Sequence, residues 1–142
     1  MVTAGDGLVR LDVWATAVLV VVAAAAAAVP EVFAYVAVPV ALVLFAAGCG
    51  TFLWAYAVAV GRSRYEQLSL GGLFFLGEDV APAPVARALR LALAVQVVAA
   101  VAAAAVRPYT AVAFTVLAPM FGLGMMALWG ARHGNFPERE AN

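Results

Sequence analysis

Apolar residues arrive in four long runs, at about 13–29, 36–60, 85–106 and 111–130, and polar residues collect between them. Inside the runs there is neither the two-residue alternation of a half-buried strand nor the one-sided stripe of a soluble helix; the runs are apolar all round. About 30 Å of hydrocarbon needs roughly 20 helical residues. In lipid every backbone N–H needs an acceptor inside the protein, which only helices and closed barrels provide. The barrel alternation is missing, so the pattern predicts an all-α integral membrane four-helix bundle, one transmembrane domain over residues 1–142.

The first run is short and holds the six alanines Ala23 to Ala28. Its insertion rests on Val13, Val18, Leu19, Val20, Val21, Val22 and Val29, worth on the order of −2 to −4 kcal/mol together, so it leans on its neighbours. Asp6 and Asp12 offset Arg10 just before it, which argues for a retained helix over a cleaved signal. Val29-Pro30-Glu31 and Arg107-Pro108-Tyr109-Thr110 are tight connections, so the chain reads as two antiparallel helical hairpins. Asp79, as an N-cap, then Pro82 and Pro84 mark the start of the third helix. The loop at 61–84 has an apolar middle at 68–76, too short to span and of a length usual for interfacial or re-entrant segments. The tail at 131–142 is polar, with a frayed end expected. Val21-Val22-Ala23-Ala24 resembles Val97-Val98-Ala99-Ala100, and Gly48-Cys49-Gly50 resembles Gly122-Leu123-Gly124, as in a duplicated hairpin.

Charge sets the orientation. Arg10, Arg62, Arg64, Arg87, Arg90, Arg132 and Arg139 fall on one side of the four runs and Arg107 alone on the other. The positive-inside rule then puts both termini in the cytoplasm of a multi-pass cell-membrane protein. An aromatic belt agrees, with Trp14, Trp54 and Trp129 near the inner boundary and Phe33, Tyr35 and Tyr109 near the outer one.

Composition narrows the chemistry. Hydrophobic residues make up 67% and charged residues 11%, with a formal net charge of zero. Soluble domains carry about 25% charge, and a neutral chain has no field to gather nucleic acid. Cys49 and His133 are the only residues of their kinds. Disulfides, CxxC pairs and His-pair metal sites are therefore excluded, and no Ser/His/Asp or Cys/His set stands ready for covalent catalysis. The expectation is no enzyme and no cofactor. No Asp, Glu, Lys or His lies deep inside a run, which speaks against ion-coupled transport.

Two groups of residues stand out. Arg62, Arg64, Phe74, Phe75, Arg87 and Arg90 are candidates for contact with a partner or with lipid: the arginines meet headgroup phosphates and the phenylalanines sink into the acyl boundary. Gly48, Gly50, Gln96, Gly122 and Gly124 are candidates for interhelical packing. Ala46-x-x-x-Gly50 and Ala118-x-x-x-Gly122 are small-xxx-small pairs, and Gln96 should seek Thr51, Thr115 or Cys49 across a helix interface. Pro39 and Pro119 should kink the second and fourth helices.

The segment from Pro119 through Gly122, Gly124, Trp129 and Arg132-His133-Gly134 to Pro137, with Val106-Arg107-Pro108-Tyr109, resembles uncharacterised small four-helix membrane proteins of actinobacteria. That resemblance implies membrane location and a bacterial source, and no activity. The expected function is that of a non-catalytic accessory or structural membrane protein, working through helix packing and docking. Its partners would be lipids, another membrane protein or further copies of itself. The alternative is an oligomeric transporter or channel subunit with Gly50, Gln96 and Gly122 along a path.

Overall fold

The computed structural model describes residues 5–77 and 79–140. Six helical elements follow in order: α1 (Asp6–Ala28), α2 (Pro30–Arg62), α3 (Leu70–Phe75), α4 (Ala83–Val106), a 3-10 helix η1 (Ala111–Leu117) and α5 (Met120–His133). Four stretches are long and apolar enough to cross a membrane: α1, α2, α4, and η1 with α5. The chain is a multi-pass, all-α membrane protein.

The spans are longer than the apolar runs. α1 starts at Asp6 and α2 at Pro30, so Asp12 and Glu31 lie within helices. At about 1.5 Å per residue α2 is about 50 Å long and overreaches the hydrocarbon. Pro30 opens α2, where its missing N–H costs nothing. Asp79 does not cap α4. It sits in the left-handed region at φ 66°, and Pro82 takes the cap position with no side-chain hydrogen bond.

The fourth span is broken, a stronger effect than the expected kink. Pro119 has no N–H to give, and its ring opposes the carbonyl one turn back. The chain before it is drawn into 3-10 geometry, with Ala118 N–H bonding Thr115 O at 3.0 Å, and α5 restarts beyond. α5 packs most extensively on α2, and α1 most extensively on α4.

Small residues make those contacts close. Ala37, Ala41, Gly48, Ala55 and Ala59 form the buried edge of α2. A Cβ on Gly48 would lie 2.5 Å from the backbone of Met120, so the α2–α5 approach requires glycine there. Gly124 faces Thr51 and the Gly48 carbonyl just as closely. Gly50 departs from expectation. It is exposed, a Cβ there would meet nothing, and Ala46 is exposed too, so that pair packs no helix. The reason is angular: Gly50 is two residues, about 200°, around the helix from Gly48. The Gly-x-Gly likeness between the hairpins therefore does not extend to their packing.

The arginine-rich end is closed by a cap. Ser69 Oγ accepts from Gly72 N–H at 3.0 Å and starts α3. Leu73, Leu76 and Val80 then bury against Leu89, Leu128 and Trp129. Trp129 thus belongs to this core and not to a lipid-facing belt, while Trp14 is 71% exposed. The tail is not frayed as far as Arg139. Asn135 N–H bonds Val80 O, Gln67 N–H bonds Pro137 O and Arg139 N–H bonds Tyr65 O, each at 2.8 Å, and Phe136 is buried.

Candidate functional site

Two places gather polar groups, one inside the bundle and one in the cap. The inner one begins with a stripe on α1. Asp12, Thr16, Leu19, Ala23 and Ala26 are its buried residues, spaced four, three, four and three apart, which is one helix face. That face meets α4, so the first two positions bring a carboxyl and a hydroxyl into the core.

Gln96 lies midway along α4 and is 1% exposed. Its Nε2 donates to Asp12 Oδ1 at 3.0 Å and to Thr16 Oγ1 at 2.7 Å. Its Oε1 accepts from Gly122 N–H at 3.0 Å. The break at Pro119 makes that last bond possible. The first N–H groups of a helix lack intrahelical acceptors, and Gln96 supplies one from a neighbouring helix. A Cβ on Gly122 would lie 2.6 Å from Gln96 Oε1, so any side chain there would push the amide out of this position. Thr16 Oγ1 donates to the Asp12 carbonyl at 2.7 Å. One amide thereby ties α1, α4 and α5 together, each bond worth about 0.6–2 kcal/mol in a membrane interior.

This corrects two expectations. Gln96 pairs with Asp12, Thr16 and Gly122, and not with Thr51, Thr115 or Cys49. An acid does lie inside a span: Asp12 is fully buried, and its Oδ2 has no hydrogen-bond partner. The apolar run begins one residue after Asp12, which hid it, yet the stripe Asp12-Thr16-Leu19-Ala23 carried the signal.

In the cap, several of the candidate contact residues are spent on the fold. Arg62 Nε pairs with Glu66 at 2.6 Å, its Nη1 donates to Ala131 O and its Nη2 to Gly134 O, both at 2.9 Å, and its guanidinium lies 5.3 Å over the Phe136 ring. Arg90 donates from Nε to Phe75 O at 2.8 Å and from Nη2 to Leu76 O. These bonds hold Leu76 in the left-handed conformation at φ 49°, a strain of about 1–2 kcal/mol. Phe74 stacks on Phe52 with centroids 5.0 Å apart. Arg64, Phe75 and Arg87 remain exposed. Arg87 and Arg90 line an open cleft of about 710 Å³ with Asp79 and Leu91. Asp79 makes no ion pair with either arginine among the described residues, and Glu78 lies outside them.

No family model, curated protein or solved structure matches the chain. The class defined by fold and site is therefore a multi-pass membrane bundle with a polar junction in its core and a folded cap at its arginine-rich end.

Proposed function

We propose that this is a non-catalytic accessory or structural membrane protein that docks a partner membrane protein against its cap, with both termini in the cytoplasm. The supporting observation is the cap itself. A segment that could have lain loosely on the leaflet is fixed by Arg62, Arg90 and the tail, and it turns Arg64, Tyr65, Leu70 and Phe75 outward. Holding apolar side chains outside the bundle on a rigid base is what a binding surface requires. The origin of the arginines in seven positions on this side and one on the other supports the orientation.

The test is purification from native membrane after substituting the outward residues alone: Arg64→Ala, Leu70→Ser and Phe75→Ser. The cap should stay folded and a co-purifying membrane partner should be lost. Retention of every partner would overturn the docking reading. Arg62 and Phe74 are unsuitable for this test, since their loss would loosen the cap.

A second reading, an oligomeric transporter or channel subunit, is favoured by one observation: Asp12 sits in the core beside a broken helix. Discontinuous spans and intramembrane acids are both typical of substrate and ion paths. Cation- or proton-dependent flux in liposomes that disappears with Asp12→Asn would favour it.

A further inference from the structure

We propose that the Asp12 carboxyl is a proton-binding site, with Oδ2 the atom that carries the proton, and that this proton holds α1 closed against α4 and α5. The inference concerns the junction in the core and stands whether or not the cap docks a partner.

The hydrogen bonds around Asp12 leave one choice. Gly122 N–H fixes the Gln96 amide with Oε1 toward α5 and Nε2 toward α1. Both Nε2 hydrogens are then committed, one to Asp12 Oδ1 and one to Thr16 Oγ1. The Thr16 hydrogen goes to the Asp12 carbonyl. Every donor that reaches the carboxyl is spent on one oxygen, and Oδ2 is buried with none. A carboxylate needs donors or a cation on both oxygens when it leaves water.

No cation faces it. On α1 itself, Arg10 is exposed and about 200° around the helix, and Asp6 is acidic and a turn and a half away. On α4, Arg87 and Arg90 are exposed, Arg90 being about 9 Å toward the cap from Gln96. On α5, Arg132 and His133 lie ten and eleven residues past Gly122, and on α2 Glu31 and Arg62 sit at opposite ends. η1 carries no charged residue. A metal cation is a poor fit, since it would need several oxygens and those nearby are already in hydrogen bonds. A proton needs only Oδ2. The exchange is simple: a proton from water joins the carboxylate to give the neutral acid, and its loss returns a charge to an apolar junction. That charge is relieved when α1 moves and admits water, so deprotonation and opening are coupled.

The test uses the full chain in lipid nanodiscs with ¹³C-labelled aspartate, followed by infrared spectroscopy across pH. The chain has three aspartates, Asp6, Asp12 and Asp79, and of these only Asp12 is buried. An isotope-shifted band of a protonated carboxyl should persist at neutral pH. It should vanish reversibly as pH rises, together with a loss of amide protection, relative to the intrinsic base-catalysed rate, along α1 near Asp12. In Asp12→Asn, which keeps the shape of the neutral acid, the band should be absent and the protection of these amides, measured against their intrinsic base-catalysed rate, should not change with pH. The proposal is overturned if labelled wild-type protein shows only carboxylate bands at neutral pH, or if the band survives in Asp12→Asn. Should that variant fail to fold, the labelled wild-type spectrum decides alone.

Discussion

The two halves of the fourth span are held by different means. From Met120 to His133 the chain is α-helical, its neighbours include Leu73, Leu76 and Leu89, and the Arg62 side chain bonds its Ala131 carbonyl. From Ala111 to Leu117 it is 3-10, and its core is Val112 among Ala23, Ala26, Ala37 and Ala103. The α-helical half has bulk, a tilted Trp129–His133 ring contact and a charge-assisted hydrogen bond from Arg62. The 3-10 half relies on backbone proximity between alanine-rich faces and on Thr115, whose hydroxyl bonds the Val112 carbonyl at 2.8 Å. A 3-10 segment has poorer hydrogen-bond geometry than an α-helix and survives mainly where packing holds it. Stability should therefore be graded along the bundle, highest at the arginine-rich end, with the Asp12–Gln96–Gly122 junction at the boundary between the two halves.

The sharpest way to break that gradient is at Gly48. Alanine there drives a methyl group into the Met120 backbone, which cannot rotate aside as a side chain can. The expected loss is about 3 kcal/mol in reversible unfolding from detergent micelles, the upper range for overpacking. α5 should loosen from α2 first, seen as faster amide exchange from Met120 to Met126. Gly50→Ala, two residues on, is the internal control. With open space around it, it should be neutral or gain up to about 1 kcal/mol from helix propensity. Equal losses at the two positions would remove the close α2–α5 contact from the account.

Next in size is Arg62→Met. It keeps most of the apolar stem but leaves the carbonyls of Ala131 and Gly134 without their donor and Glu66 without its partner. The ion pair is partly exposed and contributes little, so most of the expected loss, about 2 kcal/mol, comes from the two carbonyls. Amide protection should fall at Gln67, Asn135 and Arg139, which join the tail to the loop, while α1 near Ala26 stays protected.

Much of this architecture is legible in the amino-acid sequence. Four apolar runs and two short turns suffice to give four helices in two hairpins, because lipid leaves the backbone few alternatives. Positions that depend on angle and not on composition were less legible. Gly48 and Gly50 look alike in the chain and separate only when α2 is set against α5. Asp12 and Gln96 are 84 residues apart, and no local rule pairs them. The face through Asp12, Thr16, Leu19 and Ala23 was visible, but reading a helix as starting where the apolar run starts placed its first member outside. Arg62 and Arg90 read as surface anchors because arginine beside a span usually snorkels. The folded cap, which gives them carbonyls to bond, arises from contacts between the 63–82 loop and a tail more than fifty residues later.

The smallest expected effect tests the weaker half. Arg107 is the lone arginine at its end, against the charge pattern of the rest of the chain, and the structure supplies a reason. Its Nε donates to Ala27 O at 2.9 Å, satisfying one of the carbonyls left open where α1 ends. A cation at that point also suits the negative end of the helix dipole. Arg107→Gln should cost about 0.5–1 kcal/mol, because water near the membrane surface can replace the donor. Arg107→Lys should recover the dipole contribution but not the hydrogen-bond geometry. Faster exchange should be confined to the last turn of α1 and the first residues of η1, with the cap amides unmoved. If Arg107→Gln instead destabilises as much as Arg62→Met, the η1 half is not the softer one. No gradient along the bundle would then be left, and the α-helical and 3-10 halves would be held equally firmly.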